Sequence, residues 1–156
     1  MKKIFENFIT EEEKDLLMSI KVNSSDKLKD HENKNEYGED VNKVISKILT
    51  KLKEEFKVEV GEKSYFRLES SRTGHKWHVD IGTNGHMSWC TVGASILLQE
   101  PACKGGTTYY GTEVAWKIID IEELQRNVCD LVAHTSDEWH MVKPNEGERF
   151  AFLLFI

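Results

Sequence analysis

A chain of 156 residues, 39% of them hydrophobic, is long enough for one domain with a real core and too apolar for a disordered segment. Its formal net charge of −6, without a basic stripe, argues against a nucleic-acid substrate. The longest strongly apolar run, Phe150 to Ile156, is far too short to span a membrane, and no membrane partner is expected.

Met1-Lys2-Lys3 opens the chain, but Glu6, Asn7 and Glu11-Glu12-Glu13 leave no secretory apolar segment, so a cytoplasmic location is expected. Cys90, Cys103 and Cys129 are odd in number and form no CxxC pair, the pattern of free thiols in a reducing compartment. Thr10 with Glu13 forms a capping box that opens a short helix through Leu16, Leu17 and Ile20. Residues 23–38 are almost wholly polar and read as a solvated loop, with a lid over substrate as the alternative. Asp40 is expected to cap a second helix, whose stripe is Val41, Val44, Ile45, Ile48, Leu49, Leu52 and Phe56. Steps of three and four place these on one face, so the helix packs on something.

After Lys57 the period changes to alternation. Candidate strands are 58–60, 64–69, 75–81, 88–98, 107–110, 113–120, 128–133, 139–143 and 148–156. The expected fold is therefore mainly β with N-terminal helices, an α+β arrangement. The whole chain, 1–156, reads as one domain: supporting helices over 1–57 and an antiparallel sandwich or jelly-roll core over 58–156.

The densest chemical signal is Gly74-His75-Lys76-Trp77-His78-Val79-Asp80. In a strand, His78 and Asp80 lie two apart and point the same way. One imidazole and one carboxylate are two parts of a 2-His-1-carboxylate facial triad, which leaves positions open on an iron(II) ion. His140 qualifies as the third ligand, its neighbours Trp139 and Met141 pointing away from it. Arg149 begins a strand that is apolar on both faces, with Ala151, Leu153 and Phe155 on its own side. Burying a guanidinium there is costly unless an anion meets it. A dicarboxylate co-substrate is one such anion; an ion pair with a glutamate is the other reading.

These residues resemble the prolyl-4-hydroxylase-like branch of the 2-oxoglutarate/iron(II)-dependent oxygenases. Ile4 to Thr10 with Glu12 and Glu13 resembles the family's opening segment. His78-Val79-Asp80 matches its HxD, and Gly105-Gly106-Thr107-Thr108-Tyr109-Tyr110 its glycine-pair turn and strand. Leu131-Val132-Ala133 and then His140-x-Val142-x-Pro144-x-x-Gly147-x-Arg149 match its closing motif. The resemblance implies a double-stranded β-helix (jelly roll). It implies iron(II) held by His78, Asp80 and His140, with Arg149 on the distal carboxylate of 2-oxoglutarate. It further implies O2 as co-substrate, ascorbate as an accessory, and C–H hydroxylation with release of succinate and CO2. Peptidyl proline or a free amino acid is the implied substrate. The carboxylate at Asp80 speaks against the halogenating variant.

The chain also departs from the pattern. Leu97 stands where many relatives carry a tyrosine that helps hold 2-oxoglutarate. Tyr65 is the first candidate to replace it, ahead of Ser95 and Thr108. His134 stands where relatives often carry phenylalanine. His75 is expected to point away from His78, and His134 to lie outside the ligand set. His86 reads as an exposed loop residue beside the metal. Trp77 and Trp139 read as core; Trp89 and Trp116 read as packing residues, with a substrate groove as the alternative. The rival functions are a cupin-type metal-binding jelly roll that does not use 2-oxoglutarate, a silent binding module, and nucleic-acid demethylation. The acidic balance and the lack of a second arginine after Arg149 disfavour the last.

Overall fold

Helix α1 (Glu11–Met18) forms as expected: the Thr10 side chain accepts from the Glu13 backbone, and the Glu13 side chain accepts from the Thr10 backbone. The second helix, α2 (Glu39–Phe56), begins two residues earlier than expected. Gly38 is its N-cap and gives no side-chain hydrogen bond, while Asp40 sits inside the first turn, where its charge suits the helix dipole. All seven residues of the α2 stripe are buried. The computed structural model describes residues 1–20, 29–30, 38–61, 63–70, 72–82, 87–102 and 105–156. The expectations for His86, Cys103 and most of segment 23–38 lie outside the described residues.

Among those residues ten strands follow in the order β1 (Lys2–Phe5), β2 (Lys29–Asp30), β3 (Tyr65–Ser70), β4 (His75–His78), β5 (Val92–Gln99), β6 (Thr108–Val114), β7 (Lys117–Glu123), β8 (Leu131–Thr135), β9 (Trp139–Val142) and β10 (Phe150–Phe155). They form a six-stranded sheet, β1-β8-β5-β10-β3-β2, and a four-stranded sheet, β4-β9-β6-β7. Every pairing is antiparallel. This is the expected jelly roll with two helices.

Several expectations are corrected. Residues 58–60 are not a strand. Residues 29–30, placed by the sequence in a polar loop, form an edge strand on β3. The segments 107–110 and 113–120 are instead one hairpin, β6–β7, whose turn residues Ala115 and Trp116 both have positive φ. That conformation matches the right-handed twist of two paired strands. It leaves Trp116 97% exposed, so Trp116 is no packing residue. Trp77 and Trp139 are half-buried rather than core.

The large sheet has two unlike faces. One carries Phe66, Leu68, Val92, Ala94, Ile96, Leu131, Ala133, Phe152 and Leu154, which join the helical stripes in a single cluster. Each such side chain removes apolar area worth about 1.5–3 kcal/mol of gross transfer energy. The other face carries Arg67, Glu69, Ser95, His134, Ala151 and Leu153 and lines a cavity. The alternation that buries Phe152 and Leu154 and packs the partly buried Phe150 beside them thus also sends Arg149, Ala151, Leu153 and Phe155 to the cavity.

The open edge of the small sheet is β7. Ile119 and Ile121 are exposed along it, with Lys117, Asp120, Glu122 and Glu123 beside them. The β6–β7 register shifts between Tyr110 and Thr112, and Asp120 there has φ +51. An extra residue on β7 therefore bends this edge.

Candidate active site

His78, Asp80 and His140 each offer one ligand atom, and these atoms lie within 4.8 Å of one another. The cross-strand pair His78↔His140 of β4 and β9 brings the two imidazoles together, with ring centroids 4.2 Å apart. Asp80 arrives by a different route from the one expected. β4 ends at His78, and the backbone amides of Asp80 and Ile81 both donate to the Ser136 carbonyl, at 2.9 and 3.0 Å. A loop contact to the β8–β9 turn, not a continuous strand, fixes the carboxylate.

Hydrogen bonds set the protonation of both histidines. His78 Nδ1 lies 2.6 Å from the Lys76 carbonyl and His140 Nδ1 lies 2.8 Å from the Glu138 carbonyl. A carbonyl only accepts, so each Nδ1 carries the proton and each Nε2 keeps its lone pair. Those Nε2 atoms lie 3.7 and 3.4 Å from Asp80 Oδ1. His134 Nε2 donates to the other oxygen, Asp80 Oδ2, at 2.5 Å. The Tyr110 hydroxyl meets His134 Nδ1 at 2.7 Å and donates to it. Tyr110, His134 and Asp80 thus form a chain that orients the carboxylate and leaves Oδ1 for a metal. Support of this kind is how proteins fix their metal ligands.

Electrostatics agree with that assignment for Asp80 and His78, while in the metal-free site Asp80 favours the protonated form of His140. Burial would raise the Asp80 pKa, but the imidazoles of His134 and His140 outweigh it and hold the carboxyl far below the usual range. Burial, then the charge of His140, lowers His78, which suits a neutral ligand. Burial also lowers His134. For His140 burial is outweighed by the hydrogen bond and charge of Asp80, and its pKa rises. Two nitrogen lone pairs and one ionised carboxylate facing a common point fit an iron(II) ion.

His75 does not point away from His78. Its partner is Val142 while that of His78 is His140, so β4 carries one extra residue between them. This bulge breaks the alternation and turns His75 to the cavity. There its Nε2 lies 2.9 Å from Glu69, which also accepts from Arg67 Nη2 at 2.8 Å. His75 is thereby committed to Glu69.

The triad opens into a cavity of about 370 Å³, lined also by Met87, Ser95, Thr108, Arg126, Arg149, Leu153 and Phe155, a size suited to small molecules. Arg149 is 5% exposed. Among the described residues it has no hydrogen bond and no carboxylate within ion-pairing distance. Burial lowers its pKa, and the only charge that offsets this is the more distant Glu69. The glutamate ion pair allowed by the sequence does not form among the described residues. Tyr65 lies elsewhere. It pairs with Phe155, whereas the Arg149 end of β10 begins with Phe150 opposite Ser70. Its ring packs on Trp89 with centroids 5.2 Å apart. Ser95 and Thr108 do line the cavity.

Two glycines shape the site. A Cβ at Gly106, where φ is +74, would lie 2.6 Å from Arg149 Cδ, so the glycine-pair turn leaves room for the arginine to pass. A Cβ at Gly93 would lie 1.9 Å from Asp80 Oδ2 and 2.7 Å from His134 Nε2. The residue was not singled out in the sequence, although a glycine inside a strand signals close approach. Gly93→Ala is expected to weaken metal binding at least about 10-fold by displacing the carboxylate. Calorimetric titration with Mn(II), beside a melting curve, checks this; unchanged affinity would mean that Asp80 lies elsewhere.

Neither a protein-family model nor a curated protein matches this sequence. Solved structures do. A prolyl-4-hydroxylase from Pseudomonas putida superposes with a TM-score of 0.66 at 14% identity, over 99% of this chain and 90% of that one. A prolyl hydroxylase from Trichoplax adhaerens, in complex with a hypoxia inducible factor peptide fragment, gives 0.62 at 14% identity over 99% and 82%. A prolyl 4-hydroxylase from Phytophthora capsici gives 0.68 at 12% identity, over 99% of this chain but 57% of that one. At such identities the likeness establishes architecture, and the architecture of this chain is the jelly roll of the prolyl hydroxylases on which it superposes.

Proposed function

We propose that this protein is a 2-oxoglutarate- and iron(II)-dependent dioxygenase that hydroxylates a substrate C–H bond. One oxygen atom of O2 enters the alcohol and the other enters succinate as CO2 leaves. The observation that carries this reading is Arg149, a buried guanidinium without an anionic partner among the described residues, facing the same cavity as the triad. A cupin-type metal site has no need of such a residue; a co-substrate with a distal carboxylate does.

In this reading iron(II), when bound, supplies the redox chemistry that activates O2. His78, Asp80 and His140 would hold the ion. Arg149 anchors the far end of 2-oxoglutarate. Val79, Met87, Leu153 and Phe155 give the cavity an apolar wall that limits water near the reacting centre. Ascorbate, as a reductant that restores iron(II), and a cytoplasmic location belong to the same proposal. Among the described residues no helix is long and apolar enough to cross a membrane. The Trichoplax adhaerens enzyme is described with a bound peptide fragment. This favours a peptidyl substrate, peptidyl proline first and a free amino acid second.

Anaerobic titration of the iron(II)-loaded protein with 2-oxoglutarate tests the co-substrate. A metal-to-ligand charge-transfer band is expected to grow and saturate. Iron binding with no new band would favour the cupin-type alternative.

A further inference from the structure

We propose that Arg126 shares the distal carboxylate of 2-oxoglutarate with Arg149, so that the end of the cavity is a two-arginine clamp selective for 2-oxo diacids. The proposal rests on the co-substrate reading above and adds a residue to it.

Arg126 lies in the connection between β7 and β8. Its side chain reaches β5, where Nη1 donates to Ser95 Oγ at 2.7 Å. Ser95 stands opposite Val132 of β8 and Leu153 of β10, on the face that lines the metal cavity. Arg126, Arg149 and Thr108 line this cavity and also a second, more polar one of about 290 Å³ beside it. The two guanidiniums therefore stand together at the boundary between the spaces.

Neither arginine is neutralised by a carboxylate within ion-pairing distance among the described residues. Asp130, the carboxylate whose charge acts on Arg126, has both oxygens engaged: Oδ1 accepts from the Asn7 amide at 2.7 Å and Oδ2 from the Asn127 amide at 2.8 Å. Glu69 is engaged by Arg67 and His75. Burial, and then the charge of Arg149, pull the Arg126 pKa down to about 10, which still leaves it protonated at neutral pH. Two like charges held together without a counterion are unfavourable. An anion between them removes the repulsion and supplies both forks with an acceptor. Leu97, next on this face of β5, offers no polar group. Ser95 and Thr108 are neutral, so the positive charge at this end comes from the two arginines; Glu100 and Glu123 line the second cavity but not the metal cavity.

Chain length and charge of the ligand can be separated experimentally. The Mn(II)-loaded protein would be titrated calorimetrically with 2-oxoglutarate and with 2-oxopentanoate, which keeps the 2-oxo acid end and lacks the distal carboxylate. Arg126→Gln is expected to lower 2-oxoglutarate affinity roughly 10- to 100-fold, the range for a hydrogen bond to a charged group, and to leave 2-oxopentanoate unchanged. Arg126→Lys covers the case in which the Gln variant does not fold. It keeps the charge but loses the planar fork, and a selective loss of at least several-fold is expected. An unchanged ratio of the two affinities in the folded variants overturns the proposal. If the unaltered protein itself shows no preference for 2-oxoglutarate, the co-substrate reading fails; if it does and the variants keep that preference, only the role of Arg126 fails.

Discussion

Asp80→Ala is expected to abolish iron(II) binding and turnover while the chain still folds. The carboxylate is the one anionic ligand of the triad, and its Oδ1 faces the two Nε2 lone pairs. Removing it leaves two neutral imidazoles, too few donors to retain the ion. The fold should persist because the main apolar cluster lies on the opposite face of the large sheet. The cost to the metal-free protein is the orphaned His134 donor, about 1–3 kcal/mol for a buried group. His140→Ala should lose the metal in the same way. Metal titration, succinate release and a thermal melt together decide it; a folded Asp80→Ala protein that binds iron(II) normally would remove the triad.

Arg149→Ala is expected to raise the 2-oxoglutarate requirement sharply. Truncating one partner of a buried, hydrogen-bonded charge pair costs about 2–5 kcal/mol, equivalent to at least roughly 30-fold in affinity. The effect on the free protein should have the opposite sense from that of a structural ion pair. Arg149 is buried without a counterion among the described residues, so its loss should leave the ligand-free melting temperature unchanged or higher. What should disappear is the stabilisation that added 2-oxoglutarate gives. If the variant unfolds while co-substrate affinity in the folded fraction is unaltered, Arg149 is structural.

The parts of the site carried by local alternation were legible in the sequence. His140 between Trp139 and Met141, and Arg149 in phase with Ala151 and Leu153, follow from period-two strands. The α2 stripe was equally plain, because its steps of three and four admit one buried face. Failures arose where pairing, not local pattern, decides orientation. The bulge in β4 turns His75 inward, and no single strand reveals a bulge that exists only against its partner. Tyr65 has the same strand parity as Arg67 and Glu69, yet antiparallel register carries it to the far end of β10. His134 lies outside the ligand set as expected, but its contact with Asp80 depends on the pairing of β5 with β8. Arg126 sits among Gln125 and Asn127 in a connection with no periodic signal; its importance depends on where a long side chain ends.

The bent outer strand β7 has a consequence for handling the protein in solution. Its free backbone amides and exposed isoleucines could template pairing between molecules. The irregularity at Asp120 and the charges of Lys117, Glu122 and Glu123 work against such stacking. Salt that screens those charges should make this rim the place where self-association begins, ahead of the helical face.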